Sequence, residues 1–162
     1  CHSLCYYCGC NKKVTQHADQ AVVYLELLLR EIAMQGRLFD RDRHVTQLHF
    51  GGGTPTFLTD PELERLMASL RRAFHVTDDA EISIEVDPRT ASPERLERLA
   101  AMGFNRLSFG IQDFDPDVQK AVHRVQPFES VRDLVHAARR IGFESINADL
   151  IYGLPLQTAA SF

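Results

Sequence analysis

Cys1, Cys5, Cys8 and Cys10 are the only cysteines of a 162-residue chain, and all four fall within its first ten residues. A disulfide framework spreads its cysteines so as to tie distant segments together, so this clustering points to a metal site. The spacing Cys1-x-x-x-Cys5-x-x-Cys8 puts three thiols on one short loop, close enough to reach one centre. Thiolates select zinc or an iron–sulfur cluster. A structural zinc site usually gathers a second ligand pair from a distant segment, yet no later cysteine exists and His17 has no H-x-x-x-H partner. Three cysteines suit a four-iron cluster that keeps one iron open to a substrate, by the logic of a catalytic metal site. Spacing alone favours the cluster and leaves zinc, or unliganded thiols, open.

Further along, Gly51-Gly52-Gly53-Thr54-Pro55 follows directly on a short apolar segment. It could be no more than a tight turn, but its N–H groups can also approach a polar ligand with no Cβ in the way. As side-chain types, the carboxylates Glu85 and Asp149 suit an ammonium or hydroxyl partner and Arg124 suits a carboxylate. The plainer alternatives are that Glu85 and Asp149 fasten loops of a sheet and that Arg124 is a solvated helix residue.

These residues must be positioned by regular elements. Ala21 to Met34 carries Val22, Leu25, Leu28, Leu29 and Ile32 at helical spacing, which predicts a helix buried on one side. Val45–Phe50 reads as a strand stopped by the glycines. Thr59-Asp60-Pro61-Glu62 has the capping-box form, so a helix should follow with Leu63, Leu66, Met67, Leu70 and Phe74 inward. Glu81–Val86 alternates with period two and ends at Asp87-Pro88, predicting a second strand. Ser92-Pro93 starts a helix that carries Leu96 and Leu99 and ends at Gly103. Asn105–Phe109 should be the next strand. A short helix after Asp115-Pro116, a longer one over Ser130–Ile141 and a strand over Ser145–Ile151 complete the pattern.

Met102-Gly103-Phe104 and Ile141-Gly142-Phe143 repeat one grammar of helix end, glycine cap, buried Phe and strand. Strands alternating with helices imply parallel pairing through right-handed crossovers. About four strands fit here, whereas an eight-strand barrel takes roughly 250 residues, so the expected fold is α/β, a partial parallel (β/α) barrel. A doubly wound open sheet is the alternative. Glu85, Gln112, Asp149 and Gly52 then fall at or just beyond strand C-terminal ends, where barrel sites form.

The composition is 44% hydrophobic and 25% charged, with a net charge of -4, which fits a soluble domain and gives no basic footprint for nucleic acid. No apolar run approaches the roughly 20 residues of a membrane span. A single cytoplasmic domain over 1–162 is expected. The start at Cys1 and the stop at Phe162 suggest a chain cut at both ends, lacking a first strand and a C-terminal part.

The order CxxxCxxC then GGGTP resembles the radical S-adenosylmethionine (SAM) superfamily. That resemblance implies a 4Fe–4S cluster held by Cys1, Cys5 and Cys8, with its fourth iron bound to the amino and carboxylate groups of SAM. A closer resemblance, to the oxygen-independent coproporphyrinogen III oxidase family, rests on CHSLCYYCGCNK, LHFGGGTPT, ISIEVDPR, GIQDF and DLIYGLP. Cys10 favours that family over haem chaperones, which generally carry another residue there. The family implies two SAM molecules: Gly52 and Glu85 would contact the cluster-bound one, and Tyr7, Gly53, Thr54, Gln112, Arg124 and Asp149 the second. Tyr7 departs from the more familiar Phe. The implied reaction is oxidative decarboxylation of a porphyrinogen substrate, coproporphyrinogen III, to protoporphyrinogen IX in haem biosynthesis. It would be fed by an electron donor such as flavodoxin or ferredoxin and carried out by a monomer. A haem-trafficking or haem-modifying relative and a non-enzymatic zinc module are the competing readings.

Overall fold

The structure, a computed structural model, describes residues 1–162. Four strands, β1 (His44–Phe50), β2 (His75–Val86), β3 (Arg106–Gln112) and β4 (Ser145–Leu150), form one sheet. Every neighbouring pair is parallel and the spatial order is the chain order, β1-β2-β3-β4. A doubly wound sheet would reverse direction at a switch point, so this order sets that alternative aside and fits a segment of barrel wall.

Helices α1 (Asp19–Gln35), α2 (Asp60–Ala73), α3 (Pro93–Ala101), α4 (Pro116–Ala121) and α5 (Phe128–Ile141) connect or precede the strands. One continuous core lies between the sheet and the helices. Ile82, Ile84, Val86, Leu107, Phe109 and Ile111 point to it from the strands, and Leu63, Leu66, Leu96, Leu99, Val131 and Leu134 from the helices. Each such side chain contributes about 1.5–3 kcal/mol by leaving water.

Helix ends follow local chemistry. Glu62 reaches back to the Thr59 N–H at 2.7 Å, Ser92 Oγ accepts from the Arg95 N–H at 3.2 Å, and Asp115 Oδ1 accepts from the Asp117 N–H at 2.8 Å. Gly103 and Gly142 adopt φ +98° and +101°, and the following Phe104 and Phe143 N–H groups return to Leu99 and Ala138, both at 3.2 Å. The repeated grammar is therefore one repeated left-handed cap, with both Phe rings buried behind it.

Three expectations are adjusted. The inward stripe of α1 uses Ala21 with Leu25 and Ile32, while Val22 is half exposed, because the helix phase places Ala21 a turn before Leu25. β2 begins at His75, six residues before the alternation becomes visible at Glu81, and its pairing with β1 is irregular between Val45 and Gln47. α5 starts at Phe128 behind Pro127 rather than at Ser130, since proline holds the extended conformation an N-cap needs. No helix is long and apolar enough to cross a membrane.

Candidate active site

The sheet face opposite the core is polar, and the register explains it. Gln47 pairs with Glu81 and His49 with Ser83; Glu85 pairs with Ser108, and Gly110 with Asp149. Period-two alternation thus sends Ile and Leu to the helices and these polar residues into the would-be barrel interior. Near the strand C-terminal ends, His49 Nδ1 lies 2.7 Å from Ser83 Oγ, and Ser108 Oγ donates to Asp149 Oδ2 at 2.8 Å.

The cysteine loop lies across those ends. The Tyr6 N–H donates to Val122 O at 3.0 Å, and the His123 ring contacts Leu4 O at 2.7 Å while stacking on Tyr6. Lys12 Nζ donates to Cys8 O at 2.8 Å. All four thiols are free, Cys5 buried and Cys10 exposed.

Beneath the loop is a cavity of about 160 Å³. Cys1, Cys5 and Cys8 line it from the loop, Gly53 and Thr54 from the end of β1, and Glu85, Gln112 and Asp149 from the ends of β2, β3 and β4. Tyr7 and Arg124 complete the wall. Gly52 is absent from that wall and is tied to it through Glu85, whose Oε2 accepts its N–H at 2.9 Å. A larger cleft of about 500 Å³ lies across the glycine loop toward α1. It includes none of the strand-end carboxylates but shares Cys1, Gly53 and Thr54 with the smaller cavity, which alone gathers Cys1, Cys5 and Cys8 with the strand-end residues.

Several donors aim at sulfur. Thr54 Oγ1 donates to Cys1 Sγ at 3.1 Å, and the Arg89 and Arg124 guanidiniums each lie 3.6 Å from Cys5 Sγ. Burial opposes ionisation of Cys8, but the Cys10 N–H and the Lys12 ammonium outweigh it and hold the thiol below its ordinary value. Such surroundings favour anionic sulfur. No three His, Cys, Asp or Glu side chains gather tightly enough for a single metal ion. Three thiols spread round one cavity wall, each in a donor-rich setting, fit a polynuclear sulfur-ligated centre better. Burial also pushes the Tyr7 hydroxyl well above its usual range, so it stays neutral.

Two features escaped the sequence. Gln112 has φ +72°, the left-handed region, at an irregularity in the β3–β4 register between Gly110 and Gln112. A bulge re-aims the last residue of β3 into the cavity, with the backbone strain characteristic of sites. Arg124 is 7% exposed and follows α4 rather than riding on a helix surface. Its Nε donates to Gly110 O at 3.1 Å and its Nη2 reaches Asp87 Oδ1 at 3.4 Å, so its charge is already committed within the protein. Asp87 and Arg89 also line the cavity. The only prior signal was a charged pair flanking Pro88 at the end of a strand.

Among known proteins, the oxygen-independent coproporphyrinogen III oxidase of Salmonella typhimurium is 56% identical over 162 residues, covering 100% of this chain and 35% of the relative. That of Pseudomonas aeruginosa is 49% identical. The solved structure of coproporphyrinogen III oxidase from Escherichia coli, described as a radical SAM enzyme, superimposes with a TM-score of 0.96 at 54% identity, over 100% of this chain and 37% of that one. The chain thus spans little more than a third of these relatives. A radical SAM methyltransferase from Kitasatospora setae shares the fold alone, with a TM-score of 0.63 at 15% identity. The Radical SAM superfamily profile matches residues 1–162, from the first cysteine to the last residue. That match removes the zinc-module alternative, and the chain belongs to the radical SAM superfamily.

Proposed function

We propose that residues 1–162 are the cluster- and SAM-binding core domain of an oxygen-independent coproporphyrinogen III oxidase. The observation that carries the reading is identity of 54–56% to such oxidases across the whole chain. Cys10 is in keeping with it.

Cys1, Cys5 and Cys8 would hold three irons of a 4Fe–4S cluster and leave the fourth for the amino and carboxylate groups of SAM. When bound and reduced by one electron, this pair would supply a 5′-deoxyadenosyl radical able to take a hydrogen atom from a propionate side chain, whose conversion to a vinyl group then releases CO2 and passes one electron to a separate one-electron acceptor. The protein's contribution is position and exclusion of water. Glu85, fixed by the Gly52 N–H, offers a carboxylate to the cluster-bound SAM. Asp149, fixed by Ser108, offers a second carboxylate to a second SAM, alongside Tyr7, Gly53, Thr54, Gln112 and Arg124. Arg124 would shape that subsite mainly through charge, because its donors are engaged. An electron donor such as flavodoxin or ferredoxin, a monomeric state and a cytoplasmic location complete the reading.

The test is anoxic reconstitution of the full-length protein with iron and sulfide, followed by assays for 5′-deoxyadenosine and protoporphyrinogen. Both products together are expected. Deoxyadenosine without protoporphyrinogen would redirect the assignment to a haem-trafficking relative, and tight zinc binding without cluster absorption would overturn it.

A further inference from the structure

Asp87 sits between two guanidiniums. Arg89 donates to Oδ2 from Nη2 at 2.7 Å and to Oδ1 from Nε at 3.0 Å, and Arg124 Nη2 reaches the same Oδ1 at 3.4 Å. The same two guanidiniums converge on Cys5 Sγ, each at 3.6 Å. Cys5 is the one buried cysteine of the four. Arg89 Nη1 continues to Ser3 Oγ at 3.3 Å, inside the cysteine loop.

The electrostatics of this group are one-sided. Two guanidiniums and one carboxylate carry a net single positive charge, and their side chains are only 8–21% exposed, so solvent screens them weakly. Burial works against the Asp87 carboxylate, yet its two arginines hold it below its ordinary value, while Asp87 pushes Arg89 up; both stay charged. Donors to a ligating sulfur, and positive charge beside it, stabilise the electron-richer state of an iron–sulfur cluster. Neither Cys1 nor Cys8 has a guanidinium on its sulfur.

We propose that Arg89 is a positioning residue for the cluster: braced by Asp87, it acts with Arg124 as a cationic clamp on Cys5 Sγ that raises the cluster's reduction potential and pins the cysteine loop to the end of β2. The inference rests on Cys1, Cys5 and Cys8 being cluster ligands.

The experiment is a mediator-buffered redox titration of the full-length, anoxically reconstituted protein, read by the electron paramagnetic resonance of the reduced cluster. Arg89→Gln should lower the ratio of reduced to oxidised cluster at fixed potential about tenfold, which is about 59 mV for one electron. Asp87→Asn removes the counter-charge and should move the potential the opposite way. Arg89→Lys, which keeps the cation, should fall between wild type and Arg89→Gln. A merely structural brace predicts shifts of the same sign in Arg89→Gln and Asp87→Asn, so that result, or no shift in either, overturns the proposal. Should Arg89→Gln fail to load iron, Asp87→Asn decides alone: a rise supports the clamp and an unchanged or lower potential sinks it. A wild-type protein that takes up no cluster overturns the proposed function instead, so the two failures are distinguishable.

Discussion

The Gly52 N–H donates to Glu85 Oε2 at 2.9 Å, which fastens the loop leaving β1 to a side chain near the end of β2. Gly51, next to it, is packed tighter still. A Cβ there would lie 2.5 Å from His49 Nε2 and 2.9 Å from Glu85 Oε1, whereas one at Gly52 would meet nothing within 4 Å. A Cβ at the two glycines would therefore act differently: at Gly51 it would displace the ends of the His49 and Glu85 side chains, and at Gly52 it would meet the strain of a φ of +82°.

Substitution separates those effects. Gly51→Ala should push Glu85 out of place and weaken SAM binding tenfold or more, measured by equilibrium dialysis with cluster content unchanged. Gly52→Ala should mainly cost about 1–2 kcal/mol of folding stability through left-handed strain, measured by urea denaturation, and weaken SAM binding less than Gly51→Ala does.

Cysteine substitutions should divide three to one. Cys1→Ser, Cys5→Ser and Cys8→Ser should each lose most of the bound iron and the visible absorption of the cluster. Cys10→Ser should keep iron and sulfide near wild-type amounts, because its thiol is exposed. Iron and labile-sulfide analysis after reconstitution checks both halves.

Gln112 should display a trade between stability and binding. Its φ of +72° is unfavourable for any residue with a Cβ. Gln112→Gly should raise the unfolding free energy by about 1 kcal/mol while reducing SAM affinity, and denaturation and dialysis on one preparation would reveal the opposition. Loss of both properties together would count against a strained, site-directed bulge.

Asp87 should give the fold a specific acid sensitivity. Its folded-state pKa is depressed: burial opposes the charge, but Arg89 and Arg124 outweigh it. Its stabilisation is therefore fully present above the unfolded value of about 3.9 and disappears as pH falls through the lower folded value. Asp87→Asn should flatten the stability profile below pH 4 on that account, as read by urea midpoints across pH.

Packing sets the largest stability effects. Phe104 is 2% exposed and its ring meets Phe50 edge-on at 5.1 Å, tying the repeated cap to β1. Phe104→Ala should cost about 3–5 kcal/mol, measured by urea denaturation.

Much of this architecture was legible because it obeys local rules. Strand ends at Gly51 and Asp87, caps at Ser92, Asp115 and Gly142, and the inward leucines of α2 and α3 each depend on residues within a few positions. Glu85, Gln112 and Asp149 could be assigned to one rim because parallel strands share a C-terminal face. What could not be read depends on separation. Arg124 was placed at the site by family resemblance, but it meets Cys5 across 119 positions and Arg89 meets it across 84, so neither contact with that sulfur could be read from the residues around the arginines. The bulge at Gln112 likewise depends on its pairing with β4 and leaves no trace in the GIQ tripeptide. Val22 was misplaced because a two-sided apolar helix leaves its phase ambiguous by one residue.

Those long-range fastenings impose an order on biosynthesis. The cysteine loop is held by Val122, His123 and Arg124, so at roughly 5–20 residues per second the ribosome takes about 6–25 s to deliver its anchors after Cys8 is made. Arg89 reaches Cys5 from earlier in the chain, so of the two guanidiniums on that sulfur the one from Arg124 is made last. The full set of contacts around the cysteine loop is therefore complete only after β3 and α4 have been made and packed against it.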